Sequence, residues 1–392
     1  MQFHKIRTNK HRFTLKTLAM NIQMVDLYNQ YLKIKDEIDH EIQEVIRTSV
    51  FVKGGKVLDL EKNLEKYLNI NHVITCGNGT DALQIALMAL DLKEGDEVIT
   101  TPFTFVSTLE VLALMKLKPV LADVDPNTFT ISPESVLRCI TKNTKAIVPV
   151  HLYGQCANME SLMDIAKNKR LFIIEDSCQA LGTDFIFRNE KVAKAGTLSD
   201  IACNSFFPTK NLGAFGDGGA LYSNNDDLAQ KMRSIANHGM GKRYYYQQIG
   251  MNSRLDAMQA AILDVKLKYL DEYIAARQSA AAFYDVELSG IQEISIPARV
   301  SYSTHTFHQY TIKVPGCRDE LQKQLKEKGI PSMIYYPLPL HLQEAYRYLG
   351  YQKGDFPISE KLSEQVLSLP MHTELTEEQL KYITSTIREF FI

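Results

Sequence analysis

The chain has 392 residues, 45% of them hydrophobic, enough to bury a large core and to build two lobes or one large and one small domain. Its 44 Lys and Arg against 46 Asp and Glu leave a formal net charge of −2, which excludes the broad cationic field that duplex nucleic acid or an anionic membrane would need. Six cysteines, Cys76, Cys139, Cys156, Cys178, Cys203 and Cys317, stand without C-x-x-C pairs or His-rich spacing, which argues against a zinc site and a disulfide framework; no metal is expected, and a reducing cytoplasm fits best.

The N-terminal stretch carries Lys5, Arg7, Lys10, Arg12 and Lys16 but no apolar run that would serve as a signal-peptide core, so export is not expected. Patterned sequence begins near Asn21-Ile22-Gln23-Met24, and residues 1–23 read as an N-terminal arm, or as a start upstream of Met20. From about residue 55, helical patterns alternate with short β-rich runs: His72-Val73-Ile74-Thr75, Glu97-Val98-Ile99-Thr100, Pro119-Val120-Leu121-Ala122, Ala146-Ile147-Val148-Pro149-Val150 and Leu171-Phe172-Ile173-Ile174. Near-continuous apolar strands separated by helices predict an α/β fold with a mostly parallel sheet covered on both faces, and place ligands at the carboxyl ends of the strands. The most apolar stretch, 111–124, is interrupted by Lys116, Lys118 and Asp123, so no transmembrane span is expected.

After Leu255 an Ala-rich helical pattern runs to about Leu288 and stops at Gly290, a bridge from a large domain, 24–270, into a smaller α+β domain, 271–392. The smaller domain offers an extended run at 308–314, a helix over 319–328 ended by Gly329, and a last helix opened by the capping-box pattern Thr376-Glu377-Glu378-Gln379.

Residues with chemistry in them fall after the strands. Gly77-Asn78-Gly79-Thr80-Asp81 joins a strand to a helix, where backbone amides and the helix N-terminus suit a phosphate, although such a turn also occurs as plain structure. Asp81 is expected to face away from that phosphate, and Ser205 to add a hydroxyl to it. Asp176 ends a hydrophobic strand, where a carboxylate needs a partner: a helix N-cap role would satisfy it, and so would a pyridinium N–H. Gln179 could bond the hydroxyl of such a ring or the substrate, and Phe105 could stack on the ring or simply pack in the core. Lys210 lies between Phe206-Phe207-Pro208 and the turn-rich 213–219; burial there would lower its pKa and make it a nucleophile and proton carrier. An amine able to form a Schiff base and a strand-end carboxylate are the two groups that pyridoxal phosphate (PLP) chemistry demands of a protein.

Together, Gly79-Thr80-Asp81-Ala82-Leu83, Glu175-Asp176-Ser177-Cys178-Gln179-Ala180-Leu181-Gly182, Ser205-Phe206-Phe207-Pro208-Thr209-Lys210-Asn211-Leu212-Gly213, Gly216-Asp217-Gly218-Gly219 and Asn252-Ser253-Arg254-Leu255-Asp256 resemble the DegT-type nucleotide-sugar aminotransferases over roughly residues 24–392. The resemblance implies a fold-type-I PLP enzyme acting as a homodimer with shared active sites. It implies Lys210 as the Schiff-base lysine, Asp176 as the pyridine-nitrogen partner and Gln179 beside the ring hydroxyl. Gly79, Thr80 and Ser205 would hold the phosphate, with Asn252 reaching in from the other subunit. The implied reaction is a ping-pong transamination from L-glutamate to a ketone on a nucleotide-linked hexose. Sugar dehydratases of the same fold carry His where this chain has Lys210.

Gly154-Gln155-Cys156-Ala157 and 238–246, followed by 250–254, are most similar to the branch that aminates C3 of UDP-2-acetamido-2-deoxy-3-oxo-glucuronate for surface polysaccharide such as lipopolysaccharide. On that resemblance Lys242 and Arg243 would neutralise the diphosphate and Arg254 would meet the carboxylate, each being otherwise a surface or structural charge. Where that branch reads His-Tyr-Pro, this chain has Tyr335-Tyr336-Pro337, so a sugar contact is altered and a dTDP-3-oxo-6-deoxyhexose or a 4-oxo sugar stays open. A non-catalytic regulator would be expected to lose the lysine or the aspartate, and neither is lost. A PLP desulfurase or decarboxylase would need a reactive loop cysteine or a dedicated arginine, whereas Cys178 and Cys203 fall in strand-like, buried runs.

Overall fold

The computed structural model describes residues 21–392, so the basic leader, 1–20, lies outside the described residues. Of the segment read as an arm, residues 21–23 are described: Ile22 packs into the C-terminal core, and the Asn21 carbonyl accepts from Gln379 Nε2 at 3.0 Å.

The described chain opens with α1 (Leu27–Lys33), α2 (Lys35–Thr48) and α3 (Gly55–Leu68). Strands and helices then alternate as β1 (His72–Cys76), α4 (Gly79–Ala89), β2 (Glu97–Thr100), α5 (Ser107–Leu114), β3 (Lys118–Leu121), α6 (Pro133–Cys139), β4 (Thr144–Ile147), α7 (Met159–Lys169) and β5 (Phe172–Asp176). A hairpin of β6 (Asp184–Ile186) and β7 (Val192–Lys194) precedes β8 (Ile201–Ser205) and β9 (Gly219–Ser223). After α8 (Asp226–Ile235), a second hairpin pairs β10 (Met240–Lys242) with β11 (Tyr245–Tyr246), and α9 (Ala257–Leu267) leads to α10 (Leu270–Leu288). The C-terminal part holds β12 (Tyr310–Lys313), α11 (Arg318–Glu327), α12 (Pro357–Gln365), β13 (Val366–Leu369) and α13 (Glu377–Phe391).

The fold is α/β, and its main sheet runs β1-β9-β8-β5-β4-β2-β3. Its pairs from β8 to β3 are parallel, and β9 alone runs antiparallel to both neighbours, β1 and β8. Successive residues of one strand feed opposite cores: Ile74, Ile174 and Ile201 pack under α4 and α8, while Val73, Ala202 and Tyr222 pack under α3 and α9. An apolar residue at every position is thus what a sheet covered on both faces requires, each buried Ile or Leu contributing about 1.5–3 kcal/mol. Because β9 is antiparallel, its first residue, Gly219, pairs with Ser205 and Cys76 at the carboxyl edge, so the loop 206–218 arches over that edge and carries Lys210 there.

Two sequence expectations change in detail. The run 146–150 predicts one strand, but the continuous ladder stops at Ile147 because Pro149 has no N–H to give; its carbonyl accepts from the Asp176 N–H at 2.9 Å, and pairing with Asp176 resumes at Val150. The single Ala-rich helix is two, broken at Lys268 and Tyr269, whose N–H groups bond three residues back rather than four. The break turns α9 into the sheet core and lets α10 cross to the cluster built from β12, β13, α11 and α13. The capping box on Thr376 forms as the sequence suggests, with Gln379 returning the bond. Among the described residues no helix is long and apolar enough to cross a membrane.

Candidate active site

A cleft of about 840 Å³ opens at the carboxyl edge of the sheet and gathers residues far apart in sequence: Gly79, Thr80, Phe105, Asp176, Gln179, Ser205, Lys210, Tyr335 and Tyr336 all line it. Its lower end is the turn from β1 into α4. Asn78 caps α4, accepting from the Asp81 N–H at 2.8 Å, which leaves the first amides of the helix toward the cleft. Gly79 is held so close that a Cβ there would sit 2.8 Å from Ser205 Cβ and 3.2 Å from Cys178 Sγ; only glycine lets the β8 end and the helix start share the space. Asp81 borders the cleft rather than facing away from it as expected, but its Oδ2 is tied down, accepting from Ser253 Oγ at 2.6 Å, while Ser253 Oγ also accepts from the Gly77 N–H at 2.9 Å.

Asp176 sits at the far end of the cleft with 6% of its surface exposed. No helix follows β5, so the N-cap alternative falls: the carboxylate accepts from Thr108 Oγ1 at 2.9 Å and from the Cys178 N–H at 3.3 Å. Lys210 is half-buried between these ends and, among the described residues, has no ion-pair partner. Burial holds its amine below the ordinary lysine range, opposed by the neighbouring Cys178 and Asp176. A lysine so placed keeps a larger share of neutral, nucleophilic amine than a surface lysine does.

Gln179 spans the cleft wall: its Oε1 accepts from the Tyr153 N–H at 2.8 Å, and its Nε2 donates to Tyr336 Oη at 3.3 Å. Tyr153 Oη in turn donates to the Tyr335 carbonyl, so the aromatic pair Tyr335-Tyr336 is wired to the turn after β5. Phe105 is 54% exposed, with its ring centroid 6.4 Å from that of Tyr336; it is cleft wall rather than core. Cys178 corrects an expectation: it lies in the turn beyond β5, half-buried and facing the cleft, while Cys203 is fully buried in β8. Burial, then the Asp176 charge, pushes the Cys178 thiol well up, so it is not a thiolate nucleophile.

Four residues proposed from sequence are not brought to this cleft by their own chain. Asn252 is exposed, in a bridge with Asn237; Arg254 lines a separate cavity of about 280 Å³ with Lys53 and Arg233. Lys242 and Arg243 stand on the exposed hairpin, their cationic heads 5.7 Å from the Tyr245 ring centroid and 5.1 Å from that of Tyr244. Sequence reasoning in turn missed Ser107, Thr108 and His308. His308 lines the cleft, and its Nδ1 is buried with no hydrogen-bond partner, a cost that a bound group would relieve. Burial, then the charges of Lys210 and Arg277, holds this imidazole neutral. A buried-type run that starts on His, and a Ser-Thr pair opening a helix beside a strand end, were the available signals.

Residues 32–388 match the DegT/DnrJ/EryC1/StrS aminotransferase family. The chain is 49% identical over 374 residues to a protein of Geobacillus stearothermophilus named pleiotropic regulatory protein, covering 95% of this chain and 99% of that one. It is 42% identical to the UDP-2-acetamido-2-deoxy-3-oxo-D-glucuronate aminotransferase of Pseudomonas aeruginosa, covering 93% and 99%. Among solved structures, NtdA of Bacillus subtilis with bound cofactor PMP superposes with a TM-score of 0.84 at 31% identity, covering 94% of this chain and 83% of that one.

Proposed function

The chain belongs to the DegT/DnrJ/EryC1/StrS aminotransferase family, and from that premise we propose that it carries amino groups from L-glutamate to a nucleotide-linked ketosugar with PLP as cofactor. The observation that carries this reading is the convergence of Lys210 and Asp176 on one cleft whose other end is the N-terminus of α4. The residues fit the cofactor: Gly79 leaves room that a Cβ would fill, the strand-end carboxylate faces the cleft, and His308 keeps an unpartnered buried nitrogen beside it.

When bound, PLP supplies the electron sink that acidifies a C–H bond next to nitrogen. The chain's residues do the rest. Lys210 would be the covalent anchor, and its amine would carry the proton between the cofactor's C4′ carbon and the substrate carbon, a role its lowered pKa favours. Asp176 holds a proton on the pyridine nitrogen. Thr80, Ser205 and the first amides of α4 receive the phosphate, and Phe105 covers a ring face. Gln179 borders the ring hydroxyl, its orientation fixed by Tyr153 and Tyr336.

A single chain lines the cleft with Asp81, Asp176 and Asp217 against Lys210, a poor match for ligands that bring phosphates. The missing cations lie elsewhere on the chain: Lys242 and Arg243 on the exposed hairpin with Tyr244, Tyr245, Tyr246 and Ile249, followed by exposed Asn252 and half-buried Arg254. Our reading is a homodimer in which this face completes the partner's cleft, Asn252 joining the phosphate, Lys242 and Arg243 the diphosphate, and Arg254 a sugar carboxylate. The substrate we propose is UDP-2-acetamido-2-deoxy-3-oxo-glucuronate, aminated at C3 in the cytoplasm for surface polysaccharide, with Tyr335 and Tyr336 against the sugar; the Pseudomonas relative supports it.

The regulatory name of the Geobacillus relative favours a second reading, a PLP-fold regulator without turnover. One experiment separates them: the purified protein with PLP and L-glutamate is offered this uronate, a dTDP-3-oxo-6-deoxyhexose and a 4-oxo sugar nucleotide, and products are read by mass. The aminated uronate is expected; amination of another sugar would change the substrate, and no turnover on any, with PLP bound, would favour the regulator.

A further inference from the structure

The first turn of α5 touches both ends of the cleft. Ser107 Oγ lies 2.7 Å from Thr80 Oγ1 at the opening of α4, and Thr108 Oγ1 donates to Asp176 Oδ2 at 2.9 Å. Both side chains are buried, Thr108 to 1% exposure. They are neighbours in one helical turn, so a single rigid peptide unit joins the two residues that make these contacts.

Their position explains their freedom. Deeper in a helix a threonine hydroxyl tends to bond back to a carbonyl one turn earlier, as Thr384 and Thr386 do to Leu380 and Tyr382. In a first turn no helical carbonyl lies behind the hydroxyl, and Thr108 gives its proton to the carboxylate instead. A carboxylate has about four acceptor positions. Thr108 takes one on Oδ2 and the Cys178 N–H takes one on Oδ1, so the plane of Asp176 is fixed while acceptor capacity remains toward the cleft. A carboxylate restrained at both oxygens cannot turn to follow a displaced ring; the ring must be delivered to it, and delivery is set at the phosphate end, where Ser107 holds Thr80.

We infer that Ser107 and Thr108 are positioning residues: Thr108 aims Asp176 at the pyridine nitrogen, Ser107 aims the Thr80 hydroxyl at the phosphate, and the turn between them spaces the two contacts. The inference rests on the PLP reading above and adds separable roles for two adjacent hydroxyls.

The test compares wild type with Ser107→Ala, Thr108→Val and Thr108→Ser, each bound to PLP labelled with nitrogen-15 in the ring and, separately, to pyridoxal, which lacks the phosphate. Thr108→Val is expected to lower the protonated fraction of the ring nitrogen, read from its chemical shift, and to reduce kcat roughly ten- to hundredfold, as for one lost hydrogen bond to a charged group. Its preference for PLP over pyridoxal should not change, and Thr108→Ser should restore the nitrogen signal. Ser107→Ala should reduce the PLP-over-pyridoxal preference about three- to tenfold and leave the nitrogen signal in place. Thr108→Ala replaces the valine variant if circular dichroism shows that one unfolded. A wild-type nitrogen signal without the Thr108 hydroxyl, no recovery in Thr108→Ser, or equal weakening of PLP and pyridoxal in Ser107→Ala would each overturn the inference. Failure of wild type to bind PLP would instead overturn the cofactor reading.

Discussion

The carboxyl edge of the sheet and the hairpin face are built on opposite plans. At the edge, Asp176, Gln179, Thr80 and Asp81 are all held by other side chains or backbone of the same chain, and Lys210, among the described residues the one lysine or arginine lining the cleft, is half-buried and has no ion-pair partner there. On the hairpin face, among the described residues, Lys242 and Arg243 meet neighbouring tyrosines alone, Arg243 also donating to Tyr244 Oη at 3.3 Å, and Tyr244 is 70% exposed. The side chains of the first region are fixed by partners within the chain; the second holds charge and aromatic surface left exposed among the described residues. In our account the two are halves of one site, divided between copies.

The largest effect falls on the first half. Lys210→Ala should remove the visible absorption of the PLP-loaded protein and cut turnover by at least about 10²–10⁴-fold, the usual contribution of a positioned acid–base group; single-turnover assays with glutamate check it. Next comes the second half. Arg254→Ala should raise KM for the uronate roughly ten- to hundredfold, the loss of a charge-assisted bond, with a much smaller effect on a sugar lacking the carboxylate. Mixing sharpens the comparison: Lys210→Ala and Arg254→Ala chains refolded together should regain about a quarter of wild-type activity at limiting uronate, because a mixed dimer keeps one intact site. No recovery would mean that Arg254 serves the cleft of its own chain or none.

The smallest effect concerns a buried cation behind the Lys210 loop. Lys266 is 2% exposed, bonds the Gly213 carbonyl at 2.5 Å, and is held at about 8 by burial and then by Arg277. With its pKa lowered in the folded state, the unfolded chain binds more protons between about 8 and about 10.4, so this residue makes stability rise with pH across that window. Wild type minus Lys266→Met, measured by thermal unfolding from pH 7 to 10, should therefore shift toward greater relative stability of wild type as pH rises, by up to about 3 kcal/mol.

Much of this was legible in the residues. Apolar runs such as Ile173-Ile174 and Val98-Ile99 announce strands buried on both faces, and the residues after them mark the site because parallel strands all end on one edge. Asp176 was found as the end of such a run, and Lys210 from its place between Phe206-Phe207-Pro208 and the turn-rich 213–219. What stayed hidden depends on long-range pairing. The Ser107-Thr108 pair at a helix start marks hydroxyls near a strand end, but nothing local names their partners, 27 and 68 positions away. His308 reads as an ordinary strand residue until the folded chain leaves its Nδ1 without a partner. The break between α9 and α10 was equally silent, since neither Gly nor Pro marks Lys268 and Tyr269.

The most direct measurement is chemical mapping of the lysine that carries the cofactor: the PLP-loaded protein is reduced with borohydride, digested and sequenced by mass spectrometry. The account predicts the pyridoxyl group on the Nζ of Lys210 and on no other lysine. A label on a different residue, or none after saturating PLP, would contradict it.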